Sequence, residues 1–185
     1  LSQILSLERP GVQLYFDETT YRLMFEALDR VMNAKEGRLA HLRDIFHGSL
    51  RPQFAAGGSM PLSLPWLNAA QEAAVGEALK ARDVMVVHGP PGTGKTSRAL
   101  RLMVERFREN PEVHILLMAY TNRAVDEICK ALSAITPAVD FIRVGSELSC
   151  DAAYRNHLME NELALCTRRS EVVERMVSCR IFVGT

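Results

Sequence analysis

The eight residues Gly89 to Thr96, G-P-P-G-T-G-K-T, gather three glycines, a lysine and two hydroxyls in one short stretch. They match GxxxxGK[ST], the spacing that wraps backbone N–H groups around an anion. Gly92 and Gly94 can take backbone angles closed to other residues, which lets the loop turn its amides inward. On this reading Gly89, Gly92, Thr93, Gly94, Lys95, Thr96 and Ser97 surround the phosphates of ATP. Lys95 reaches the β- and γ-phosphates and the Thr96 hydroxyl ligates Mg²⁺, so these two carry the catalytic part of the loop. The motif names a ligand and not a reaction. Kinases, GTPases, protein-remodelling ATPases and helicases share it.

Two flanking stretches bear on the reaction. Gln71 lies upstream, within L-N-A-A-Q-E-A-A-V. Its carboxamide offers a donor and an acceptor, which suits the N6/N7 edge of adenine; the same residue also reads as a solvated position on an amphipathic helix. Downstream, Thr121 and Asn122 end an apolar run and open a helical one. Small hydrogen-bonding groups at the carboxyl edge of an α/β sheet lie where such folds bind ligands. With the helix N–H groups they suit a nucleic-acid phosphate, although a plain helix cap is the alternative. Arg98, Arg101 and Arg108 share one helix face, which their interleaving with Glu105 and Glu109 marks as solvated, with a nucleic-acid role as the competing reading. Trp66 and Phe54 flank a Pro/Gly/Ser-rich stretch, with base stacking and, for Trp66, a hydrophobic staple as competing readings.

The elements that must position these groups alternate along the chain. Thr19 to Gly48 reads as two helices with Gly37 between them, and Arg51 to Pro65 as a linker. Asn68 caps a helix running through Leu79. Strands are expected at Val84–His88, His114–Tyr120, Phe141–Val144 and Arg180–Val183. Helices are expected at Lys95–Arg108, Arg123–Ile135 and Asp151–Val177, the last broken near Thr167. Alternation of this kind implies a parallel sheet covered on both faces.

The chain has 185 residues, 48% hydrophobic and 24% charged, with a formal net charge of +0. No global field therefore draws in nucleic acid, and any basic surface is local. No apolar run approaches bilayer-spanning length and no membrane association is expected. The first residues lack the pattern of a secretory signal. The four cysteines, Cys129, Cys150, Cys166 and Cys179, are spread too widely for a metal knuckle and read as buried thiols of a reducing compartment, cytoplasmic or nuclear. Five scattered histidines form no zinc-ligand spacing. The chain starts without methionine and stops on C-R-I-F-V-G-T, directly after a strand-like run, so a fragment is expected.

In order, L-N-A-A-Q-E-A-A-V, V-V-H-G-P-P-G-T-G-K-T, L-L-M-A-Y-T-N-R-A-V-D-E-I, F-I-R-V-G-S and C-R-I-F-V-G-T resemble the opening motifs of superfamily 1 helicases. The nearest group is the one that moves 5′ to 3′ and includes the nonsense-mediated-decay helicase and its DNA-replication relatives. The resemblance implies an α/β fold: the first, incomplete RecA-like P-loop domain at residues 66–185, a linker at 51–65 and a helical stalk segment at 1–50. It also implies that Gln71 reads adenine, and that Thr121, Asn122, Gly184 and Thr185 hold the backbone of single-stranded nucleic acid, DNA rather than RNA. Arg143 and Gly145 match the family's R-x-G, a structural position.

The chain departs from the family in two respects. An Asp-Glu pair after a further strand, which holds Mg²⁺ and orients the attacking water, is missing, as is the second RecA-like domain whose arginines steady transition-state charge. Asp126-Glu127 does not substitute, because Ala124 and Val125 belong to a helix rather than to the end of an apolar strand. In the family the missing strands lie between the P-loop strand and the strand leading to Thr121, so unpaired edges are expected there. Nucleotide binding with negligible turnover follows for these 185 residues. The rival readings are a protein-remodelling P-loop ATPase, against which T-N-R-A-V-D-E and Gln71 argue, and a nucleotide-binding module without turnover.

Overall fold

The computed structural model describes residues 18–57 and 66–185. It divides into two units between Pro52 and Gln53. Residues 58–65 of the expected linker lie outside the described residues, as do residues 1–17 of the expected stalk segment.

The first unit is a helical hairpin. Helix α1 spans Thr19–Asn33 and helix α2 spans Gly37–Phe46. The C-terminal carbonyls of α1 lack intrahelical partners, and Arg43 of α2 supplies one: its Nη1 donates to Met32 O at 3.2 Å and Ala34 O at 2.5 Å. The apolar side chains of α1, among them Met24, Phe25 and Leu28, are exposed, and none of its residues is buried.

The second unit opens with Gln53–Ala55, which are docked and not free. Ala55 N donates to Lys80 O at 2.7 Å and Arg82 N to Gln53 O at 2.9 Å. Helix α3, Ala69–Lys80, starts in a capping box, with Asn68 Oδ1 accepting from Gln71 N and Gln71 Oε1 accepting from Asn68 N. A π-helical turn, Lys95–Leu100, then leads into helix α4, Arg101–Phe107, so the expected single helix has a widened first turn.

Strand β1, Ile115–Met118, is followed by helix α5, Asn122–Ser133, and strand β2, Ile142–Arg143. The expected Asp151–Val177 helix is in fact a short 3₁₀ segment at Ala152–His157, then helices α6, Met159–Ala164, and α7, Arg169–Ser178. Glu171 Oε2 accepts from the Thr167 and Arg168 amides, which secures the start of α7 after the break. Strand β3, Ile181–Gly184, lies at the centre of a parallel sheet ordered β1-β3-β2, with Ile115 opposite Ile181 and Ile142 opposite Phe182. Arg175 of α7 braces this side of the fold through two hydrogen bonds to Asp140 and one to Glu162.

Two expectations are corrected. Val84–His88 is not a strand: it forms no ladder with any described residue. Strands exist as hydrogen-bonded pairs, and β1, the sheet edge on the Thr121 side, has no second partner among the described residues. Among the described residues, the second face of the sheet is also left uncovered along β1. Val125, Ile128, Cys129 and Leu132 of α5 pack with Ile181 and Val183 on one face. On the other, Leu116 is 66% exposed and Met118 65%.

Cys129, Cys150 and Cys179 are buried, while Cys166 is half-buried and all four are free thiols. Burial pushes the Cys129 thiol up to about 11 from the ordinary 9.0. The unfolded chain therefore loses this proton first as pH rises, and the stabilisation present below about pH 9 is gone by about pH 11. Chemical denaturation across that window is expected to show a falling unfolding free energy, and Cys129→Ala to flatten the fall. In the native chain at pH 8, a chromogenic disulfide reagent is expected to label Cys166 at least about tenfold faster than the three buried thiols, with all four equivalent in denaturant.

Candidate nucleotide and nucleic-acid sites

The phosphate loop is built around two left-handed glycines. Gly92 and Gly94 have φ of +80° and +79°, angles that cost other residues about 1–2 kcal/mol. At Gly94 space is also at its limit, because a Cβ would lie 2.9 Å from Gln71 Nε2. Thr93 is held by its own loop, its hydroxyl donating to Pro90 O at 2.8 Å. The Lys95 ammonium bends back onto the loop, donating to the Gly89 carbonyl and to Pro90 O, the latter at 2.8 Å. A cation with three N–H donors and only two carbonyl partners retains one for a phosphate. Gly94 O accepts from the amides of both Arg98 and Ala99, which sets the widened turn that opens the following helix.

A cavity of about 480 Å³ opens beside the loop, lined by Gly92, Gly94, Lys95, Thr96 and Ser97 and, from α5, by Glu127 and Lys130. Its size falls in the range of small-molecule sites. The glycine cradle, the lysine and the Thr96 hydroxyl fit a nucleotide phosphate with its Mg²⁺. Among the described residues no cluster of acidic, histidine or cysteine side chains stands ready to hold a metal alone. A second cavity of about 250 Å³ lies against Gln71, Ala74, Val87 and His88.

Gln71 does more locally than its sequence suggests. Its Nε2 donates to Thr93 O at 2.8 Å while its Oε1 accepts from the Asn68 amide at 3.1 Å. One carboxamide thus closes the α3 cap and ties it to the phosphate loop. Each end keeps one unused donor or lone pair for a further partner. Of the other candidates, Arg101 lies 5.9 Å over the Trp66 ring and pairs with Glu105 at 2.9 Å, and Arg108 donates to Pro137 O. Phe54 is engaged in a backbone bridge with Ala81.

At the carboxyl ends of the strands, Ala119 N donates to Gly184 O at 3.1 Å. That bond sets the exit of β1, with Thr121 and Asn122, beside the end of β3, with Gly184 and Thr185. Thr121 is the N-cap of α5, its hydroxyl accepting from Ala124 N at 3.2 Å. Gly184 is buried where Val144 approaches: a Cβ would meet the Val144 carbonyl at 3.2 Å. Thr185 is exposed. Tyr120, directly before the Thr121 cap, is 101% exposed on this edge, and Arg123 is exposed as well. An aromatic directly before a Thr-Asn helix start was the available signal.

Comparison with known proteins identifies the family. The AAA domain family model matches residues 66–178. An uncharacterized ATP-dependent helicase of Methanocaldococcus jannaschii is 32% identical over 180 residues, 91% of this chain and 26% of that protein. The DNA polymerase alpha-associated DNA helicase A of Saccharomyces cerevisiae is 37% identical over 81 residues, 44% of this chain and 12% of its own length. The DNA-binding protein SMUBP-2 of Mus musculus is 28% identical over 150 residues, 80% of this chain and 15% of its own. The chain spans at most 26% of each of these relatives. With its P-loop α/β architecture the chain belongs to the AAA domain family, and its matches to proteins named as ATP-dependent helicases are consistent with the superfamily 1 helicases.

Proposed function

We propose that this chain is the nucleotide-binding part of an ATP-dependent motor that moves along single-stranded nucleic acid and separates duplexes. The observation that carries the reading is the Ala119–Gly184 hydrogen bond, which puts Thr121-Asn122 and Gly184-Thr185 on one edge of the unit that also holds the phosphate loop. In this reading the loop amides and Lys95 hold the β- and γ-phosphates and Thr96 holds Mg²⁺, which neutralises charge developing on the phosphates. Gly89, Gly92, Thr93, Gly94 and Ser97 complete the cradle. The cavity beside Gln71 takes adenine, met by the spare donor and acceptor of the carboxamide.

Thr121, Asn122 and Thr185 grip sugar and phosphate rather than base edges, with buried Gly184 fixing the strand end beside them, so strandedness and not sequence selects the substrate. DNA is the favoured polymer: the names of two of these relatives carry DNA. The 5′-to-3′ direction follows by analogy with the family. The parent protein supplies an acidic Asp-Glu pair on a further strand, which pairs between Val84–His88 and β1, and a second RecA-like domain whose arginines complete the site. The helical hairpin over Thr19–Phe46 belongs to its stalk segment. The 185 residues alone bind nucleotide with negligible turnover. The protein works inside the cell, in the cytoplasm or, in a eukaryote, the nucleus.

In the complete protein, single-stranded DNA is expected to raise the rate of ATP hydrolysis at least about tenfold; a protein-remodelling ATPase would show no such stimulation. In the present chain, Lys95→Ala is expected to weaken ATP binding by about tenfold or more without changing the helical content, and unchanged affinity in a calorimetric titration would refute the assignment. Gly94→Ala is expected to lower the thermal midpoint by roughly 2–8 °C, through the left-handed angle and the displaced Gln71 amide, and to weaken ATP binding in parallel.

A further inference from the structure

Among the described residues, Arg143 is the one charged residue with no exposed surface, at 0%. Its Nη2 lies 2.9 Å from Asp126 Oδ1 and donates to the Ser149 carbonyl at 3.2 Å. The buried Nε and Nη1 atoms have no partner among the described residues. Taking a guanidinium out of water is expensive, and a buried ion pair often holds a fold no better than apolar side chains of the same volume. A pair left half-satisfied is a poor device for stability. What it supplies, and a leucine does not, is direction.

The two partners sit on the elements that carry the two halves of the edge described above. Arg143 belongs to β2, and its backbone pairs with Val183 of β3 on one side and bridges to Leu158 on the other. Strand β3 ends at Gly184, one residue before Thr185. Asp126 follows Asn122 by four positions in α5, one turn along the same face of the helix. The rest of the attachment of α5 is mainly apolar, through Val125, Ile128, Cys129 and Leu132, with one long hydrogen bond from the Asp151 amide to Asp126 Oδ1 at 3.5 Å. Such contacts are non-directional and leave rotation about the helix axis loosely specified.

We propose that the Arg143–Asp126 pair is the positioning clamp of the strand-gripping edge, fixing the rotation of α5 so that Thr121 and Asn122 stand in register with Gly184 and Thr185. This rests on the reading of those four residues as a nucleic-acid edge. Neither Arg143 nor Asp126 touches the polymer. Both are positioning residues.

The test compares this chain with its Arg143→Lys, Asp126→Asn and Arg143→Met/Asp126→Leu variants. Each is titrated with a fluorescein-labelled single-stranded oligothymidylate and, separately, with a fluorescent ADP analogue, and folding is followed by thermal melting. The double variant is expected to melt like the parent chain, yet to bind the oligonucleotide at least about fivefold more weakly with ADP affinity unchanged. Arg143→Lys is expected to retain more of the affinity than Asp126→Asn, and backbone amide resonances of Thr121 to Ala124 to shift in all three. Wild-type oligonucleotide affinity in the double variant would overturn the clamp, because a merely structural pair is replaceable by apolar packing. Parallel loss of ADP binding in every variant would overturn it as well. A Thr121→Ala/Asn122→Ala variant separates the two levels. If it binds the oligonucleotide like the parent chain, the edge reading itself is wrong; if it binds weakly while the apolar pair binds normally, only the clamp is wrong.

Discussion

Parallel strand pairing through β3 is the interaction on which the second unit depends. Ile181–Gly184 hydrogen-bonds to β1 on one side and to β2 on the other, and its Ile181 and Val183 side chains are buried with α5. A parallel ladder joins segments distant in sequence, so β1, β2 and β3 hold together residues from Ile115 to Gly184. Because all three strands run the same way, their carboxyl ends fall on one edge. That shared direction, more than any single contact, is why Thr121-Asn122 and Gly184-Thr185 meet.

The phosphate loop answers to different physics. Its form is set locally, by two left-handed glycines and by carbonyls that bind Lys95 and Thr93. Gln71 then couples this local form to α3 with one carboxamide shared between the cap and the loop. The stretch before the loop, Val84–His88, lacks such support: Val84 and Val87 are half-buried, while Met85 and Val86 are exposed.

The uneven covering of the sheet is consistent with that picture. One face carries the apolar side of α5, while Leu116 and Met118 stand in solvent on the other. Charge is distributed with similar economy. Arg175 is satisfied three times over by Asp140 and Glu162, whereas the buried Nε and Nη1 of Arg143 have no partner among the described residues. The better-satisfied cation braces the periphery, and the worse-satisfied one sits beneath the edge.

Local chemistry was legible in the sequence wherever a residue acts on near neighbours. Asn68 caps α3, Thr121 caps α5, the glycines of G-P-P-G-T-G-K-T turn left-handed, and strands occur at Ile115–Met118 and Ile181–Gly184 as their apolar runs indicated. These features depend on spacing of a few residues, which a sequence displays directly. Only the tertiary structure decided that Val84–His88 is unpaired among the described residues, that Gln71 spends one of its two amide donors on Thr93, and that Asp126 is claimed by Arg143. Each of these is a contest between groups far apart in the chain, settled by which partners the fold brings within hydrogen-bonding distance.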